Sequence, residues 1–527
     1  MIPRTIVVAL VAAWSMSVLS SCVDEGLGLT PMPAMDLEGQ LRYEARTPTP
    51  LGASDPPELR PARFVSIEVV NNDRQVIAAC STDAEGAFTL ELPAGGVMLI
   101  ASARVDDGSH DVTVTVDAEG GRPHQVEVIL AEAQLPLDII AEDDAEGGPA
   151  GAFHIVDTMI TGLDAAERWT GRSMPPVVLY WGRGVTTTWS FYYGEEPEGS
   201  GRYAFEILGG QPGAQHTTDT DEHDEVILLH ELGHMVMELV STDSSIGGPH
   251  PPGMLVDPGL AWEEGRVSWF ATAVAGDPAY QDTVGVVPDG YLRVDRDFSR
   301  VNDGPQGIST ERTVSEVLWA LSDGFEDIPD ADDDGVALGP QSLIETMMDL
   351  TEEDGAYPCL SSFLWFLIDT GRVEEAAMRT MLDRAGQPPE LLPATRDVVS
   401  WPIDVNLPGE VSGAIDGLTD PAPSGGEADP ETGVDATAAY RFHLVATTSV
   451  ELLLTIDGSG TVDDHTDLDL ELRDIRAQLI STASTAEPEE HVGPLTLDAG
   501  WYVAYVRDGG DGNRADYVLT LRESSDD

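Results

Sequence analysis

Two histidines and a glutamate stand close together in the segment LLHELGHMV, at His230, Glu231 and His234. Residues four apart share one face of a helix, so both imidazoles can bind the same metal ion. Glu231 lies one position round the helix from His230, where its carboxylate can reach a metal-bound water without binding the metal. The spacing therefore predicts a zinc site in which Glu231 is the general base.

The residues around this motif favour a helix. Apolar side chains recur at helical spacing, at Val226, Ile227, Leu229, Leu232, Val236 and Leu239. The acidic residues 219–225 precede them and offer Asp221 or Asp224 as an N-cap at the positive end of the helix dipole. The alternative is a buried helix whose histidines only make hydrogen bonds. With 11 histidines in 527 residues, however, a chance match to the motif is rare.

A catalytic zinc ion needs a third protein ligand, and the sequence downstream of the motif supplies candidates. A third histidine at the spacing H-x-x-G-x-x-H is absent, because LVS stands where that continuation would end. The segment LAWEEGRVSWF is expected to form a helix that begins near Pro258 or Leu260. It resembles the second zinc-binding helix of gluzincin metallopeptidases. That resemblance implies Glu264 as the third ligand, Gly265 as the point of close helix approach, and Glu263 as a solvated or supporting residue.

The long insert between His234 and Glu264 departs from the gluzincin pattern. The stretch STDSSIGGPHPPGMLVDPG is loop-like and is expected to cross back over the site. It carries His250, which could be the third ligand in place of Glu264, a hydrogen-bonding residue that steadies the transition state, or a solvent-exposed loop histidine. Tyr291, in DGYLRVDRD, is a second candidate for stabilising the developing oxyanion.

Both ends of the chain alternate apolar and polar residues with period two, which predicts β-sandwiches. Within residues 36–132, the stretch STDAEGAFTLELPAGGVMLIASA is similar to carboxypeptidase-regulatory, transthyretin-like modules. Within residues 401–527, the order of YRFHLVATTSVELLLTID, DLDLELRD and ADYVLTLRE resembles the pre-peptidase C-terminal domains of secreted bacterial peptidases. Each end is therefore expected to fold as a separate all-β domain.

The segment between them, residues 150–390, has mainly helical periodicity with a few strands. RYAFEILGG, which precedes the motif helix, is expected to be the edge strand to which a peptide substrate adds. The combination of HELGH, STDSSIGGPH, AWEEG and SEVLWALSD resembles an exported bacterial zincin-like peptidase family. The expected fold class is multidomain, with an α+β zincin-like catalytic domain flanked by two all-β sandwich domains.

Residues 1–22 are expected to be a lipoprotein signal peptide. Arg4 provides a basic start, an apolar run follows, and LSSC looks like a bacterial lipobox in which Cys22 becomes lipidated. Val23 after this cysteine resembles lipoproteins sent to the outer membrane or cell surface. The expected membrane partner is thus a lipid anchor, followed by a tether over residues 23–35. A plain secretory signal is the alternative, and both predict export to the periplasm or beyond.

Two further cysteines, Cys80 and Cys359, lie far apart in the sequence. Export would place them in an oxidising compartment, where a disulfide between them would tie the N-terminal domain to a later one. Separate burial is the alternative, because cysteine is often a small core residue. The sequence leaves both open.

The chain is strongly acidic, with 94 acidic residues against 27 basic ones, all arginine, and a formal net charge of −67. It lacks the clustered cations that bind phosphates, which argues against nucleic acid as a partner. The run DADDDG imitates the start of a calcium loop, with Asp330, Asp332 and Asp334 as ligands. Gln341 stands where the bidentate glutamate of such a loop belongs, so a solvated acidic loop is the alternative.

These observations predict a zinc-dependent peptidase, lipid-anchored at the bacterial envelope and acting on peptide or protein substrates. Two other functions stay open. One is a surface binding or adhesion lipoprotein with an inactive zincin scaffold, and the other is a zinc hydrolase that does not cleave peptides.

Overall fold

The structure is a computed structural model that describes most of the chain. The described residues are 27–116, 121–143, 148–214, 217–248, 250, 253–300, 304–323, 336–394, 401–415, 437–457, 467–485, 487–508 and 515–524. The signal peptide with Cys22, and the acidic loop with Asp330, Asp332 and Asp334, lie outside these residues. Within the described ranges, no helix is both long and apolar enough to cross a membrane.

The N-terminal part is all β. Its strands are β1 (Met35–Ala45), β2 (Pro48–Thr49), β3 (Gly52–Ala53), β4 (Glu58–Pro61), β5 (Ser66–Val70), β6 (Val76–Ser81), β7 (Ala87–Leu92), β8 (Met98–Ser102), β9 (Arg104–Asp106), β10 (Asp111–Thr115), β11 (Gln125–Ile129) and β12 (Leu137–Ala141). One sheet groups β4, β7 and β12 around β1, and a second has the order β11-β8-β5-β6. Phe88, Leu90 and Leu92 of β7 are buried in alternation, as expected for a strand that covers a core.

The middle part of the chain combines strands with helices. Its strands are β13 (Val177–Trp181), β14 (Phe191–Glu195), β15 (Tyr203–Ile207), β16 (Ala279–Val284) and β17 (Tyr291–Asp297). Its helices are α1 (Ala150–Thr170), α2 (Glu225–Val240), α3 (Pro258–Ala275), α4 (Glu311–Ser322), α5 (Gly339–Thr351), α6 (Leu360–Asp369) and α7 (Glu375–Arg384). The chain is therefore a mixed α and β protein with β-rich regions at both ends.

The middle sheet takes two strands from the predicted N-terminal sandwich. Its order is β14-β15-β13-β10-β9, and β10 pairs with β13 in parallel, with Val112 opposite Val177. The predicted domain limits of 36–132 and 150–390 are therefore wrong for β9 and β10. The reason is physical: the alternation in DVTVT specifies a buried strand but not which sheet buries it. One apolar core runs from the first sandwich through α1 into the helical region.

The predicted edge strand is also corrected. RYAFEILGG forms β15, which lies between β13 in parallel and β14 antiparallel. The strand at the end of the sheet is β14, and among the described residues it pairs with β15 alone. The order of strands in the sequence did not predict this, because β14 precedes β15 in the chain but lies outside it in the sheet. The chain leaves β13, forms the outer strand β14, and then turns back to fill the position between them with β15.

The C-terminal part is all β and has its own core. Its strands are β18 (Ile403–Asp404), β19 (Gly409–Ile415), β20 (Thr437–Leu444), β21 (Thr448–Asp457), β22 (Leu468–Asp474), β23 (Leu479–Ala483), β24 (Glu489–Leu497), β25 (Gly500–Asp508) and β26 (Ala515–Glu523). They form two sheets, β18-β20-β25-β22-β23 and β19-β26-β21-β24. Apolar residues of both sheets share one buried cluster.

The C-terminal sheets contact the helical region directly. The hydroxyls of Tyr357 and Tyr505 lie 2.5 Å apart in a small buried cluster of their own. Thr437 Oγ1 donates to Asp257 Oδ2 at 3.3 Å, and Asp257 is the residue that caps the N-terminus of α3. The last domain therefore contacts the start of the helix that carries Glu264.

The two cysteines outside the signal peptide do not form a disulfide. Cys80 lies half-buried on β6, and Cys359 is buried at the start of α6. Of the two alternatives drawn from the sequence, the structure shows separate burial.

Candidate metal centre

Two helices bring the three predicted ligands to one point. His230 and His234 lie one turn apart on α2, and Glu264 projects from α3. The Nε2 atoms of His230 and His234 lie 3.2 Å and 3.5 Å from the same oxygen, Oε2 of Glu264. Ligand atoms of the three residues all lie within 4.8 Å of one another.

These distances fit a single tetrahedral metal ion. Zinc bonds of about 2.0–2.2 Å place neighbouring ligand atoms of a tetrahedron about 3.3 Å apart, close to the separations between Glu264 Oε2 and the two imidazoles. Glu264 Oε2 is itself buried, and no described residue donates to it in good hydrogen-bond geometry, although both imidazoles lie close to it. A buried carboxylate with such poorly aligned partners is costly, and a bound cation would compensate it.

The pKa values of the ligands show how strongly their charges interact. Burial alone would raise the pKa of Glu264, but the imidazoles of His234 and His230 hold it well below its ordinary value. Burial would lower the pKa of His234, but the carboxylates of Glu264 and Glu263 raise it well above its ordinary value. In the protein without metal, the carboxylate thus keeps a proton on the imidazole. Metal binding must displace this proton, because an imidazole ligand binds in its neutral form.

Residues beside the ligands hold the imidazole rings in place. Nδ1 of His230 lies 3.1 Å from Ser268 Oγ, one turn beyond Glu264 on α3. Nδ1 of His234 lies 3.7 Å from Glu263 Oε1, and the other oxygen of Glu263 pairs with the buried Arg266. Glu263 is therefore buried and supports the site, one of the two roles expected for it. Such contacts orient metal-binding imidazoles by fixing the ring nitrogen that faces away from the metal.

Glycine allows the helices to pack closely enough for this geometry. A Cβ on Gly233 of α2 would lie 3.0 Å from Val267 Cβ of α3. A Cβ on Gly265 would lie 2.6 Å from the backbone oxygen of Glu311 on α4. The predicted role of Gly265, close approach between the two metal-binding helices, is therefore wrong. Gly233 makes that approach, and Gly265 admits α4 on another side of α3.

The start of α2 is not capped as the sequence predicted. Asp224 occupies the N-cap position but makes no side-chain capping bond. Its carboxylate instead accepts hydrogen bonds from the backbone N–H and hydroxyl of Thr283 on β16, at 2.9 Å each. Asp221 is buried three residues earlier. Asp224 thus joins the start of the motif helix to the β16–β17 hairpin.

The metal ligands lie in a cleft of about 870 Å³. Glu231 lines this cleft with the ligands, and so does Tyr192 of β14. Burial raises the pKa of Glu231, while His230 and His234 partly oppose that shift. A buried carboxylate with a raised pKa is suited to accept a proton from a water and to release it again.

The structure separates the two candidates for oxyanion stabilisation. His250 lines the cleft, with Nε2 3.6 Å from Glu264 Oε1 and Nδ1 3.0 Å from Glu311 Oε1. The bond to Glu311 raises the pKa of His250 to about 9. Tyr291 is 55% exposed at the start of β17 and is not among the described residues that line the cleft. Gly248 and His250 thus bring the described part of the insert to the cleft.

Several cleft residues escaped the sequence analysis. Tyr280 of β16 packs its ring 6.0 Å from that of His230, and Arg296 of β17 lines the cleft near Glu311. Ser268 was detectable, because it lies four residues after Glu264 on the same helix face. Tyr280 and Arg296 have no recognisable spacing from the metal-ligand motif, since only the tertiary fold brings the β16–β17 hairpin to the cleft.

The edge strand β14 borders the same cleft. Ser190, Phe191 and Tyr192 line it, and Trp189 beside them is 68% exposed. An unpaired strand edge offers backbone donors and acceptors to an extended peptide. The arrangement therefore combines three side chains that could hold one metal ion, a carboxylate suited to proton transfer and an exposed sheet edge.

Known proteins resemble this chain only weakly. No protein-family model and no curated protein matches it. Among solved structures, the pre-peptidase C-terminal domain of a collagenase from Bacillus anthracis is 12% identical, over 22% of this chain and 91% of that one, with a TM-score of 0.17. PliG of Aeromonas hydrophila, a periplasmic inhibitor of g-type lysozyme, is 12% identical over 23% of this chain and 97% of that one, with a TM-score of 0.14. Likenesses of this size carry no argument about activity.

Proposed function

We propose that this chain is a zinc-dependent peptidase in which His230, His234 and Glu264 hold the metal and Glu231 is the general base. The observation that carries the proposal is the convergence of both Nε2 atoms on one buried oxygen of Glu264, which no described residue reaches in good hydrogen-bond geometry. Zinc bound there would polarise the scissile carbonyl and lower the pKa of water. The remaining chemistry belongs to the chain's own residues.

Glu231 would move the proton during hydrolysis. It would accept a proton from the attacking water and deliver it to the leaving amine, which is then expelled as a neutral group. The raised pKa of its buried carboxyl suits both steps. The carboxylate is already buried at the cleft, so little reorganisation precedes the transfer.

His250 would stabilise the negative charge that develops on the substrate oxygen. Its bond to Glu311 favours the protonated imidazolium, and its Nε2 faces the cleft beside Glu264. A positive donor that faces the cleft lowers the energy of a tetrahedral oxyanion. This role separates His250 from the three ligands, although it lies close to one of them.

The exposed edge of β14 favours a peptide as substrate. An extended peptide could add to this strand through backbone hydrogen bonds and so pass the scissile bond across the cleft. We further propose that the chain is exported and anchored by lipidation of Cys22, as LSSC and the preceding apolar run suggest. The substrate would then be a peptide or protein at the bacterial envelope.

Hydrolysis of an unfolded casein by zinc-loaded protein tests the proposal. Glu231→Gln should keep its zinc and lose at least about 100-fold in rate, because the amide cannot accept the water proton. Glu345→Gln is the matched control, since Glu345 is exposed on α5 and should leave the rate unchanged. Zinc binding without hydrolysis in any variant would instead favour the binding protein, and hydrolysis of esters but not of peptides would favour a different hydrolase.

A further inference from the structure

A second group of carboxylates lies on the cleft wall, apart from the zinc ligands. Asp219, Asp221 and Asp282 offer carboxylate oxygens that all lie within 4.8 Å of one another. Asp219 and Asp221 precede α2, and Asp282 lies on β16. None of the three has a part in the proposed hydrolysis.

Backbone hydrogen bonds fix these residues in place. Residue Asp219 forms an isolated antiparallel bridge with Val284 of β16, and Gly285 N donates to Thr218 O at 3.1 Å. Asp221 N donates to Leu208 O at 3.0 Å. The three carboxylates are therefore held together by the fold and not by flexible loop contacts.

The partners of these carboxylates leave two buried oxygens without a donor from outside the cluster. Asp221 accepts from the Ser190 hydroxyl, and Asp219 Oδ2 pairs with Arg293, whose Nη1 is 3.9 Å from Asp282 Oδ2. Among the described residues, only the neighbouring carboxyl of the Asp219–Asp282 pair offers a hydrogen bond to Oδ1 of Asp219 or to Oδ1 of Asp282, and both atoms are buried. The residue Asp282 is only 8% exposed.

The charge of the cluster is not balanced by protein groups. Three carboxylates face one guanidinium, and Arg293 is itself largely exposed. The nearby Asp224 adds a further buried carboxylate, already occupied by Thr283. Buried carboxylates at this density need a cation or a shared proton.

A divalent cation fits the donor set better than a shared proton does. Calcium takes carboxylate oxygens at about 2.3–2.6 Å, so oxygens on one ion lie within about 5 Å of each other, as they do here. A proton shared between Asp219 and Asp282 would join only two of the three carboxylates. The set also contains oxygen atoms alone, which favours a hard cation over zinc.

We propose that Asp219, Asp221 and Asp282 bind one calcium ion, which joins the segment before the motif helix to the β16–β17 hairpin. Tyr280 lies two residues before Asp282 on β16 and packs against His230. The ion therefore holds in place the strand that lies against the zinc ligands. This site is separate from the zinc site, and either could be absent without the other.

Calcium binding by the zinc-loaded full chain tests this site. Protein freed of calcium is titrated with Ca²⁺ by calorimetry, and bound calcium and zinc are counted by elemental analysis. At calcium concentrations that saturate the wild type, Asp282→Asn should bind one calcium ion per chain fewer, because its affinity at this site is at least about ten-fold weaker, and it should keep its zinc. Asp289→Asn makes the same charge change at an exposed position on the same hairpin, and it should bind as wild type does.

Thermal unfolding gives a second readout that does not depend on activity. Saturating calcium should raise the Tm of wild type and of Asp289→Asn by at least about 2 °C, and leave that of Asp282→Asn unchanged. Asp219→Asn, at a less buried position, repeats the test if Asp282→Asn loses its zinc or its near-ultraviolet circular dichroism. Absence of calcium binding at millimolar concentration, or equal binding by wild type and both site variants, would overturn the proposal.

Discussion

At the scale of single residues, the site depends on which ring nitrogens of His230 and His234 face Oε2 of Glu264, the oxygen that lies close to both rings. The two Nε2 atoms face it, and the two Nδ1 atoms turn toward Ser268 and Glu263. This arrangement fixes the ring orientations before any metal binds. It also explains why Glu263, next to the ligand in sequence, has a different task, since successive residues on a helix point about 100° apart.

His250 provides a prediction at this scale. His250→Ala should keep one zinc ion per chain and lower kcat about 100-fold, because it removes a donor to the oxyanion and no metal ligand. Ser245→Ala, in the same insert, is the control and should have the kcat of wild type. Loss of zinc from His250→Ala would show that His250 is a metal ligand. An unchanged kcat would show that it has no role in catalysis. Zinc content and peptide hydrolysis are measured on the same preparations.

At the scale of elements, helix packing decides whether the ligands meet. α3 is buried along almost its whole length, between α2 on one side and α4 on another. Gly233 and Gly265 make these two contacts possible. The position of Glu264 therefore depends on residues that carry no chemistry of their own.

Gly265→Ala should separate α3 from α4. The added methyl would lie 2.6 Å from the backbone oxygen of Glu311, and backbone cannot move aside as a flexible side chain can. We expect a loss of about 1–3 kcal/mol in the free energy of unfolding, together with weaker zinc binding. Ala275→Ser, at an exposed position on α3, is the control for the measurement by urea denaturation. Equal stability of Gly265→Ala and wild type would contradict this account of the packing.

The sequence predicted the local parts of these elements well. The motif helix, the helix of Glu264 and the β-rich ends follow from periodicity, turn residues and the H-E-x-x-H spacing. It failed where partners are distant in the chain: the transfer of β9 and β10 to the middle sheet, the edge position of β14, and the hairpin with Tyr280. Strand alternation and helix spacing encode a buried face, but they do not name the element that covers it.

At the scale of the whole molecule, the C-terminal sheets contact the start of the helix that carries Glu264. Asp257 caps α3 through the backbone N–H groups of Gly259 and Leu260, and also accepts from Thr437 of β20. Burial raises the pKa of Asp257 to about 6 despite these donors. The contact between the last domain and α3 is thus centred on a buried carboxyl that resists ionisation.

This carboxyl predicts a pH-dependent difference in stability. The unfolded chain releases the proton of Asp257 near pH 4, whereas the folded protein keeps it until about pH 6, so Asp257 destabilises the fold progressively across that interval. Asn caps helices as well as Asp does and does not ionise. Relative to wild type, Asp257→Asn should therefore gain up to about 3 kcal/mol in the free energy of unfolding between pH 4 and pH 7.5.

Urea denaturation of both proteins at the two pH values measures this gain. Asp289→Asn is the control, because its carboxyl is exposed and its substitution should leave the pH dependence unchanged. If the two proteins differ in free energy of unfolding by the same amount at both pH values, then the pKa of Asp257 is not raised in the folded protein. That result would contradict the prediction.

The central claim is that two imidazoles and one carboxylate hold zinc, with Glu264 as the third ligand. X-ray absorption at the zinc edge, on protein loaded with one equivalent of zinc, tests it most directly. We predict two imidazole nitrogens and one or two oxygen ligands at about 2.0–2.2 Å, and a changed spectrum or loss of bound zinc in Glu264→Ala. A spectrum with three imidazoles, or one unchanged in Glu264→Ala, would contradict it.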